Sequence, residues 1–180
     1  MQSTRRSAFV WFVVLGFAGA AGTLHAEDAC IDFKWDVSKE RALFAGTPTA
    51  LQSARESASA PVIVPHRLYR VHLAPQDQVT FAVNPGRKAA AKDAFAGLAA
   101  LKLDAAGAYR IAIDLPVWID VVAGGGLIPA KDFEGQRNCS APHKIVEFDL
   151  GGGQPFVLQF SSGISEYILL TVTGSPVRKL

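Results

Sequence analysis

Three histidines and one glutamate are the residues of this sequence best suited to hold a metal ion. His66 and His72 share a face if the segment between them is a strand, but they then stand roughly 20 Å apart. His143 and Glu147 share a face in the same way, about 13 Å apart. An iron site built from two histidines and one carboxylate needs all three side chains within about 2 Å of one ion. No local pair can chelate, so a metal site would have to be assembled across strands.

Nucleophilic and acid–base chemistry has no local motif. The sequence contains no G-x-S-x-G elbow, and a Ser/His/Asp site assembled from distant residues stays open. Asp114 and Asp120 can face a cleft as an acid–base pair, or they can occupy outward positions of alternating strands. The glycine runs 124–126 and 151–153 fit neither phosphate-binding pattern and predict hairpin turns with positive φ.

Trp118 and Asp120 form the best candidate for a ligand-binding pair. An aromatic ring with a neighbouring carboxylate is a common way for jelly-roll proteins to bind glycans. The alternative is a tryptophan buried in the core or in an interface. The partners that follow from the first interpretation are a glycan or an unknown protein of the cell envelope.

The elements that must position these residues are mostly strands. Between residues 105 and 122, two alternating apolar runs flank a Leu-Pro break, which is typical of half-buried strands. Runs of this kind recur at spacings near 8–12 residues and predict an all-β fold, an antiparallel β-sandwich or jelly roll of about eight strands. The predicted strands are 67–73, 79–83, 98–103, 109–113, 117–122, 144–150, 156–160 and 167–173.

One short helix is predicted near the N-terminus, over residues 35–46. Asp36 or Ser38 can cap it, and Gly46 suits the position after its last turn. Its apolar stripe is Val37, Leu43 and Phe44. The Ser-, Ala- and Pro-rich segment 47–65 is predicted to be a covering loop or arm.

Residues 1–26 have the pattern of a secretory signal peptide. Arg5 and Arg6 precede an apolar stretch that is short for a membrane span of about 20 residues. We therefore expect cleavage, no stable membrane insertion afterwards, and a periplasmic or secreted single β-sandwich domain over residues 27–180. The pattern leaves the choice between Sec and twin-arginine export open.

The charges of the predicted mature chain balance. The sequence has eighteen Lys and Arg against sixteen Asp and Glu. The leader holds Arg5 and Arg6 and no acidic residue, which leaves sixteen of each sign. A nucleic acid or an anionic membrane surface needs a concentrated positive field, so neither is an expected partner.

The two cysteines predict one disulfide. Cys30 and Cys139 both lie in the mature chain, and an exported protein meets oxidising conditions. A bridge closing a loop of about 110 residues contributes about 4–5 kcal/mol in the chain-entropy model. The wide separation of the two residues excludes a C-x-x-C redox or zinc motif.

The order of short motifs resembles a group of small exported bacterial proteins labelled homogentisate 1,2-dioxygenase. The resemblance covers most of the mature chain and rests on Cys30, ERAL, PGRK, AGAYR, WIDV, Cys139 and KIVEF. Homogentisate dioxygenases are longer cytoplasmic cupin enzymes that hold iron with two histidines and a glutamate. The label implies such a site here, with His66, His72, His143 and Glu147 as its only candidates. The predicted sandwich is also similar to pre-peptidase C-terminal domains, which are accessory modules of secreted bacterial proteins.

The function that the sequence favours is a non-enzymatic periplasmic binding or accessory protein without a cofactor. This prediction rests on four features of the sequence: the predicted export, the zero net charge of the predicted mature chain, the single predicted disulfide and the lack of an assembled catalytic motif. Two alternatives stay open at this point. One is an iron-dependent dioxygenase, and the other is a purely structural component of the cell envelope.

Overall fold

Twelve β-strands, one α-helix and two 3-10 helices, Ser57–Ser59 and Gln76–Gln78, form the regular structure of residues 33–87 and 93–174, the part of the chain that this computed structural model describes. The predicted leader and Cys30 lie outside the described residues. The helix α1 is Ser38–Phe44. None of the helical segments in the described ranges is long and apolar enough to span a membrane.

In chain order, the first six strands are β1 Thr49–Gln52, β2 Val62–Ile63, β3 Tyr69–His72, β4 Ala74–Pro75, β5 Phe95–Leu101 and β6 Gly107–Ile113. The remaining six are β7 Trp118–Ala123, β8 Gly126–Ile128, β9 Asp132–Gly135, β10 Lys144–Leu150, β11 Phe156–Gly163 and β12 Tyr167–Gly174.

These strands form two mixed sheets. Sheet A has the order β1-β3-β12-β6-β10-β9, and sheet B has the order β2-β5-β11-β7-β8 with β4 added beside β5. The pairs β1–β3 and β2–β5 are parallel, and the other pairs are antiparallel. The all-β class is therefore confirmed. The prediction of about eight strands in an antiparallel arrangement was wrong.

The errors in strand number have two sources. Residues 79–83 are not a strand, although the segment is apolar and follows a turn. Five strands of two to four residues, β1, β2, β4, β8 and β9, were missed because an alternating pattern is hard to recognise in so few residues. Two of them, β1 and β2, lie in the segment 47–65 that was predicted to be a loop.

Period-2 alternation determines which side chains enter the main core. In β10, Val146, Phe148 and Leu150 belong to one large hydrophobic cluster. The same cluster takes Leu158 and Phe160 from β11, so it draws on both sheets. Intervening residues such as Ile145 and Glu147 lie on the other face of sheet A, as the alternation predicts.

The other face of sheet A is covered by the N-terminal segment that contains α1. A second, smaller apolar cluster forms there from Phe33, Val37, Ala112, Cys139 and Ile145. The buried helical residue is Glu40, only 1% exposed, rather than an apolar side chain. The helix is shorter than predicted, and its N-cap is Val37; the Asp36 carboxylate accepts a hydrogen bond from the Ser38 N–H at 2.9 Å.

The two glycine runs have different roles. Gly124 and Gly125 have φ values of 57° and 77° and form the tight turn between paired strands β7 and β8, which confirms the predicted hairpin. In the run 151–153, Gly153 has φ 77°. That run joins β10 in sheet A to β11 in sheet B, so it is a connection between sheets and not a hairpin.

Candidate functional site

Trp118 and Asp120 point to the same face of β7, because successive side chains on a strand alternate. The Trp118 Nε1–H donates a hydrogen bond to Asp120 Oδ1 at 2.9 Å. The second carboxylate oxygen, Oδ2, accepts a hydrogen bond from the Gly86 N–H at 3.0 Å. Asp120 is only 8% exposed. Its carboxylate therefore orients the indole ring and holds the backbone at residue 86.

A segment without regular structure, residues 79–87, lies over this face of sheet B, and we call it the strap. Its centre is fixed by the buried Gln159 side chain, which accepts from the Val83 N–H at 3.1 Å and donates to the Val83 carbonyl at 3.2 Å. Its end is fixed by Asp120. A Cβ atom at Gly86 would lie 3.0 Å from Asp120 Oδ1, so this close approach favours glycine.

Two cationic side chains approach the Trp118 ring. The Lys144 Nζ lies 5.1 Å from the ring centroid and the Arg87 Cζ lies 5.8 Å from it, both within cation–π range. Lys144 belongs to sheet A and also donates a hydrogen bond to the Val117 carbonyl at 3.2 Å. Arg87 is the last described residue of the strap. Both sheets and the strap thus contribute to one site.

Burial lowers the pKa of Lys144 below its ordinary value of 10.5, and the positive charge of Arg87 lowers it further. The carboxylate of Asp120 acts in the opposite direction. A half-buried ammonium group beside a second cation has an incompletely compensated charge. The site therefore has a positive electrostatic character.

These residues line a pocket of about 390 Å³ where β9 and β10 of sheet A approach β7 of sheet B. We call it the Trp118 pocket. Its apolar walls are Pro116, Val117, Ile119, Ala130, Phe133 and Val146. Its other lining residues are Arg87, Trp118, His143, Lys144 and Ser162. Phe133 is 67% exposed, so the pocket has an aromatic side chain available to a ligand or to solvent.

Ser162 and His143 reach the same pocket without forming a nucleophile–base pair. Ser162 lies at an irregularity in the pairing of β11 with β5 and has a left-handed φ of 57°. Its hydroxyl is buried and has no hydrogen-bond partner among the described residues. We interpret the residue as part of the shape of the pocket.

Asp114 and Asp120, the possible acid–base pair, both serve as hydrogen-bond acceptors inside the fold. The Asp114 Oδ1 accepts from the Leu169 N–H of β12 at 2.8 Å. Burial raises the pKa of Asp114 above its ordinary 3.8, opposed by that hydrogen bond. Asp120 holds Trp118 and Gly86. Neither carboxylate lines the Trp118 pocket.

The candidate metal ligands do not converge. His72 and His143 lie on or next to β3 and β10, which are three strand spacings apart in sheet A, about 14 Å. The His66 N–H donates a hydrogen bond to the Val172 carbonyl, and His72 lies opposite Tyr167. Val172 and Tyr167 are about 17 Å apart along β12, so His66 and His72 are held at distant points of this strand. Glu147 pairs with Arg110 at 3.2 Å. Within the described ranges, no three His, Cys, Asp or Glu side chains are grouped for a metal ion, so these residues do not fit the implied iron site.

His72 instead takes part in a polar surface cluster on sheet A. Its ring stacks on Tyr167 with centroids 4.7 Å apart, and its Nδ1 lies 2.6 Å from Gln52 Oε1. The Arg70 Cζ lies 4.5 Å from the same tyrosine ring. These contacts explain the placement of the His72 ring, which packs against Tyr167 and Gln52 on an exposed face of sheet A.

Sequence reasoning found Trp118 but missed the two cations of its pocket. A signal for Lys144 was present, because it begins the row 144, 146, 148 and 150, whose other members are apolar and inward-facing. Arg87 has no such local signal. It reaches the indole only because the strap crosses the sheet.

Together, the fold and the pocket define an all-β protein of two mixed sheets with a ligand-sized recess where β7 and β10 begin. No protein-family model matches this chain, and no curated protein matches it. The resemblance to small exported proteins labelled homogentisate 1,2-dioxygenase stays a hypothesis.

Proposed function

We propose that this protein is a non-enzymatic binding protein of the cell envelope and that its ligand occupies the Trp118 pocket. The observation that carries the proposal is the pocket itself, with a volume of about 390 Å³, apolar walls and a few polar groups among its lining residues. Small-molecule sites typically have this size and this distribution of polar groups.

The proposal includes a sandwich arrangement of the two sheets. Its support is the main hydrophobic cluster, which combines side chains of β10 and β12 in sheet A with those of β7 and β11 in sheet B. Two sheets facing each other across such a cluster would hold the pocket walls rigidly. Periplasmic or secreted location is part of the same proposal and is supported by the leader pattern of residues 1–26.

The pocket favours this function over a purely structural role, which predicts no recess of ligand size. It also modifies the original expectation of a glycan. Asp120 was the residue expected to bind sugar hydroxyl groups, but its two oxygens already accept hydrogen bonds from Trp118 and Gly86. An apolar body with a polar end is a better chemical match to the lining than a sugar.

Isothermal titration with two small amphiphiles tests the proposal. We would use 4-phenylbutyrate and 4-phenylbutanol, and compare the wild-type mature protein with Ala130→Trp. Ala130 lines the pocket and is exposed, so an indole there should occupy the recess without disturbing the core. Ala45→Trp, at an exposed position after α1, is the matched control.

Binding of at least one amphiphile to wild type and Ala45→Trp, with loss in Ala130→Trp, is the expected result. Binding that Ala130→Trp leaves unchanged would place the ligand elsewhere. Failure of both amphiphiles to bind the wild-type protein would remove the proposed function.

A further inference from the structure

We infer that the Trp118 pocket selects organic anions, namely carboxylates with a compact apolar body, over neutral or cationic molecules of the same shape. This inference rests on the proposed function and specifies the ligand class of the same site.

The charged residues that line the Trp118 pocket are positive. The lining contains two full positive charges, Arg87 and Lys144, and no carboxylate among the residues described. Asp120, whose charge acts on Lys144, lies outside the lining, is 8% exposed and accepts hydrogen bonds from Trp118 and Gly86. An anion entering the pocket would meet two cations and no opposing carboxylate on the surface.

The ammonium group of Lys144 is incompletely hydrogen-bonded among the described residues. An ammonium group has three N–H donors, and among the described residues Lys144 donates one hydrogen bond, to the Val117 carbonyl at 3.2 Å. The group is partly buried, and a partly buried charge is costly unless it is paired. Burial and the nearby Arg87 both lower the pKa of this lysine. A carboxylate in the pocket would satisfy the remaining donors and offset both unfavourable effects.

Arg87 is the second cation that approaches the Trp118 ring, and it comes from the strap. Its guanidinium lies 5.8 Å from the same indole that Lys144 approaches at 5.1 Å. The adjacent Gly86 is fixed to Asp120, so the strap delivers Arg87 to a defined place. Guanidinium is suited to bidentate pairing with carboxylates. Both cations approach one ring and Arg87 acts electrostatically on Lys144, so both would attract a carboxylate placed beside that ring.

The apolar part of the pocket limits the rest of the ligand. Val117, Ile119 and Val146 form a hydrocarbon wall, and Phe133 adds an exposed aromatic ring. A volume of about 390 Å³ holds about 13 water-sized groups at roughly 30 Å³ each. An arylalkyl or short acyl carboxylate has this size.

The experiment compares three probes with the same phenylbutyl body: 4-phenylbutyrate, 4-phenylbutanol and 4-phenylbutylamine. Isothermal titration at near-neutral pH and low salt should give a Kd for the anion at least about tenfold lower than for the alcohol. The amine should bind most weakly. Added sodium chloride should weaken the anion more than the alcohol.

Two substitutions test the residues directly. Lys144→Met keeps the apolar stem, and Arg87→Gln changes an exposed side chain that the core does not need. Each should reduce the preference for anion over alcohol about tenfold. Lys102→Met removes a remote exposed lysine and should leave the preference unchanged. Arg87→Gln keeps the test decisive if Lys144→Met unfolds.

The outcomes separate the two proposals. Equal binding of anion and alcohol, tighter binding of the amine, or an unchanged preference in both variants would overturn the inference while a binding pocket remained. Failure of all three probes to bind would overturn the proposed function and the inference with it.

Discussion

Lys144 lies at the start of an inward-facing row that is otherwise apolar, followed by Val146, Phe148 and Leu150. A cation at such a position has an energetic cost, which is visible in its lowered pKa. The position is tolerated because Lys144 is the first residue of β10, where the Nζ reaches the Val117 carbonyl and the Trp118 ring. The alternation of β10 was readable from the sequence. The partners of the ammonium group were not, since they come from Val117 and from Trp118 of β7, far away in the sequence.

Lys144→Met should remove one component of the alkaline pH dependence of stability. Because burial lowers the folded-state pKa, the unfolded state binds more protons between that lowered value and 10.5. The free energy of unfolding of the wild type should therefore rise with pH across this window. Urea denaturation of both proteins should show this rise diminished in Lys144→Met. The same slope in Lys144→Met as in wild type and Lys102→Met would contradict the assignment.

Asp114 should contribute to the pH dependence of stability with the opposite sign, in the acidic range. Burial raises its folded-state pKa above 3.8, so the folded state binds more protons between 3.8 and that raised value. The contribution of this group to the free energy of unfolding therefore increases as pH falls through the window. Asp114→Asn keeps an oxygen that accepts from the Leu169 N–H and has no charge to bury.

We expect Asp114→Asn to be at least as stable as wild type near neutral pH and to lose this acidic component. Urea denaturation across the acidic range measures it as a difference between the two proteins. Asp104→Asn, at an exposed aspartate, should retain the wild-type pH dependence. Marked destabilisation of Asp114→Asn near neutral pH would show that the ionised carboxylate itself is required.

At the scale of elements, the strap shows how a strand-like sequence can be used differently. Residues 79–83 alternate like a strand, yet the backbone polar groups of Val83 pair with the Gln159 side chain instead of with a neighbouring strand. A side-chain amide can do this because it offers one donor and one acceptor, as a peptide unit does. The substitution of a side chain for a strand partner is not visible in hydrophobic periodicity.

Gln159→Ala should destabilise the protein by about 1–3 kcal/mol, because it leaves the Val83 N–H and carbonyl without these partners. Urea denaturation measures the change, and Gln154→Ala in an exposed loop should stay within about 0.5 kcal/mol of wild type. The strap also carries Arg87. The affinity for 4-phenylbutyrate should therefore fall more than the affinity for 4-phenylbutanol. Equal stability of Gln159→Ala and Gln154→Ala would mean that other contacts fix the strap.

The helix α1 and sheet A meet through a buried charged group. Arg110 of β6 donates to the Asp36 carbonyl at 3.0 Å and to Glu147 Oε2 at 3.2 Å, and its Nη1 lies 3.9 Å from Glu40 Oε1. Its guanidinium also lies 4.9 Å from the Trp35 ring centroid. One buried arginine of sheet A thus links Trp35, Asp36 and Glu40 of the N-terminal segment with Glu147 of β10.

Arg110→Met should lower the free energy of unfolding by about 3–5 kcal/mol, because it removes the buried cation beside Glu40 and Glu147. Glu147 then keeps Lys131 at 3.6 Å, and among the described residues Glu40 keeps only the hydrogen bond that Thr173 donates. Arg110→Lys should recover little of this loss, since an ammonium group cannot reproduce the planar contacts. Arg137→Met, at an exposed arginine, is the control and should change stability by about 0.5 kcal/mol or less. Full rescue by lysine would show that charge alone matters at this position.

At the scale of the whole molecule, the sequence was informative where strands are long. The runs in β6, β7, β10, β11 and β12 were predicted, and their inward rows form the main cluster. The short strands and the parallel pairs β1–β3 and β2–β5 were not predicted, because pairing between distant segments leaves no local signature in the sequence. For the same reason, the pocket was predicted only in part. Trp118 and Asp120 are two residues apart, whereas Lys144 and Arg87 come from distant elements.

The predicted bridge between Cys30 and Cys139 bears on how the N-terminal segment is held over sheet A. Cys139 is buried with Phe33 and Val37, in the cluster beside α1. Cys30 lies outside the described residues, so the pairing stays a prediction. If it exists, removing either cysteine opens the same loop of about 110 residues and costs about 3–5 kcal/mol.

Three variants of the exported protein test this pairing: Cys30→Ala, Cys139→Ala and the double variant. With a bridge, the double variant should be no less stable than Cys139→Ala, because the first substitution already opens the loop. Without a bridge, Cys30→Ala would be nearly neutral and only Cys139→Ala would lose packing in the cluster with Phe33 and Val37. Mass spectrometry after alkylation, with and without prior reduction, provides the independent measurement. Two alkylated thiols in the unreduced protein would contradict the bridge. The N-terminal segment would then be held by the apolar cluster, by Arg110, by the Lys34–Asp132 ion pair and by the Thr173–Glu40 hydrogen bond.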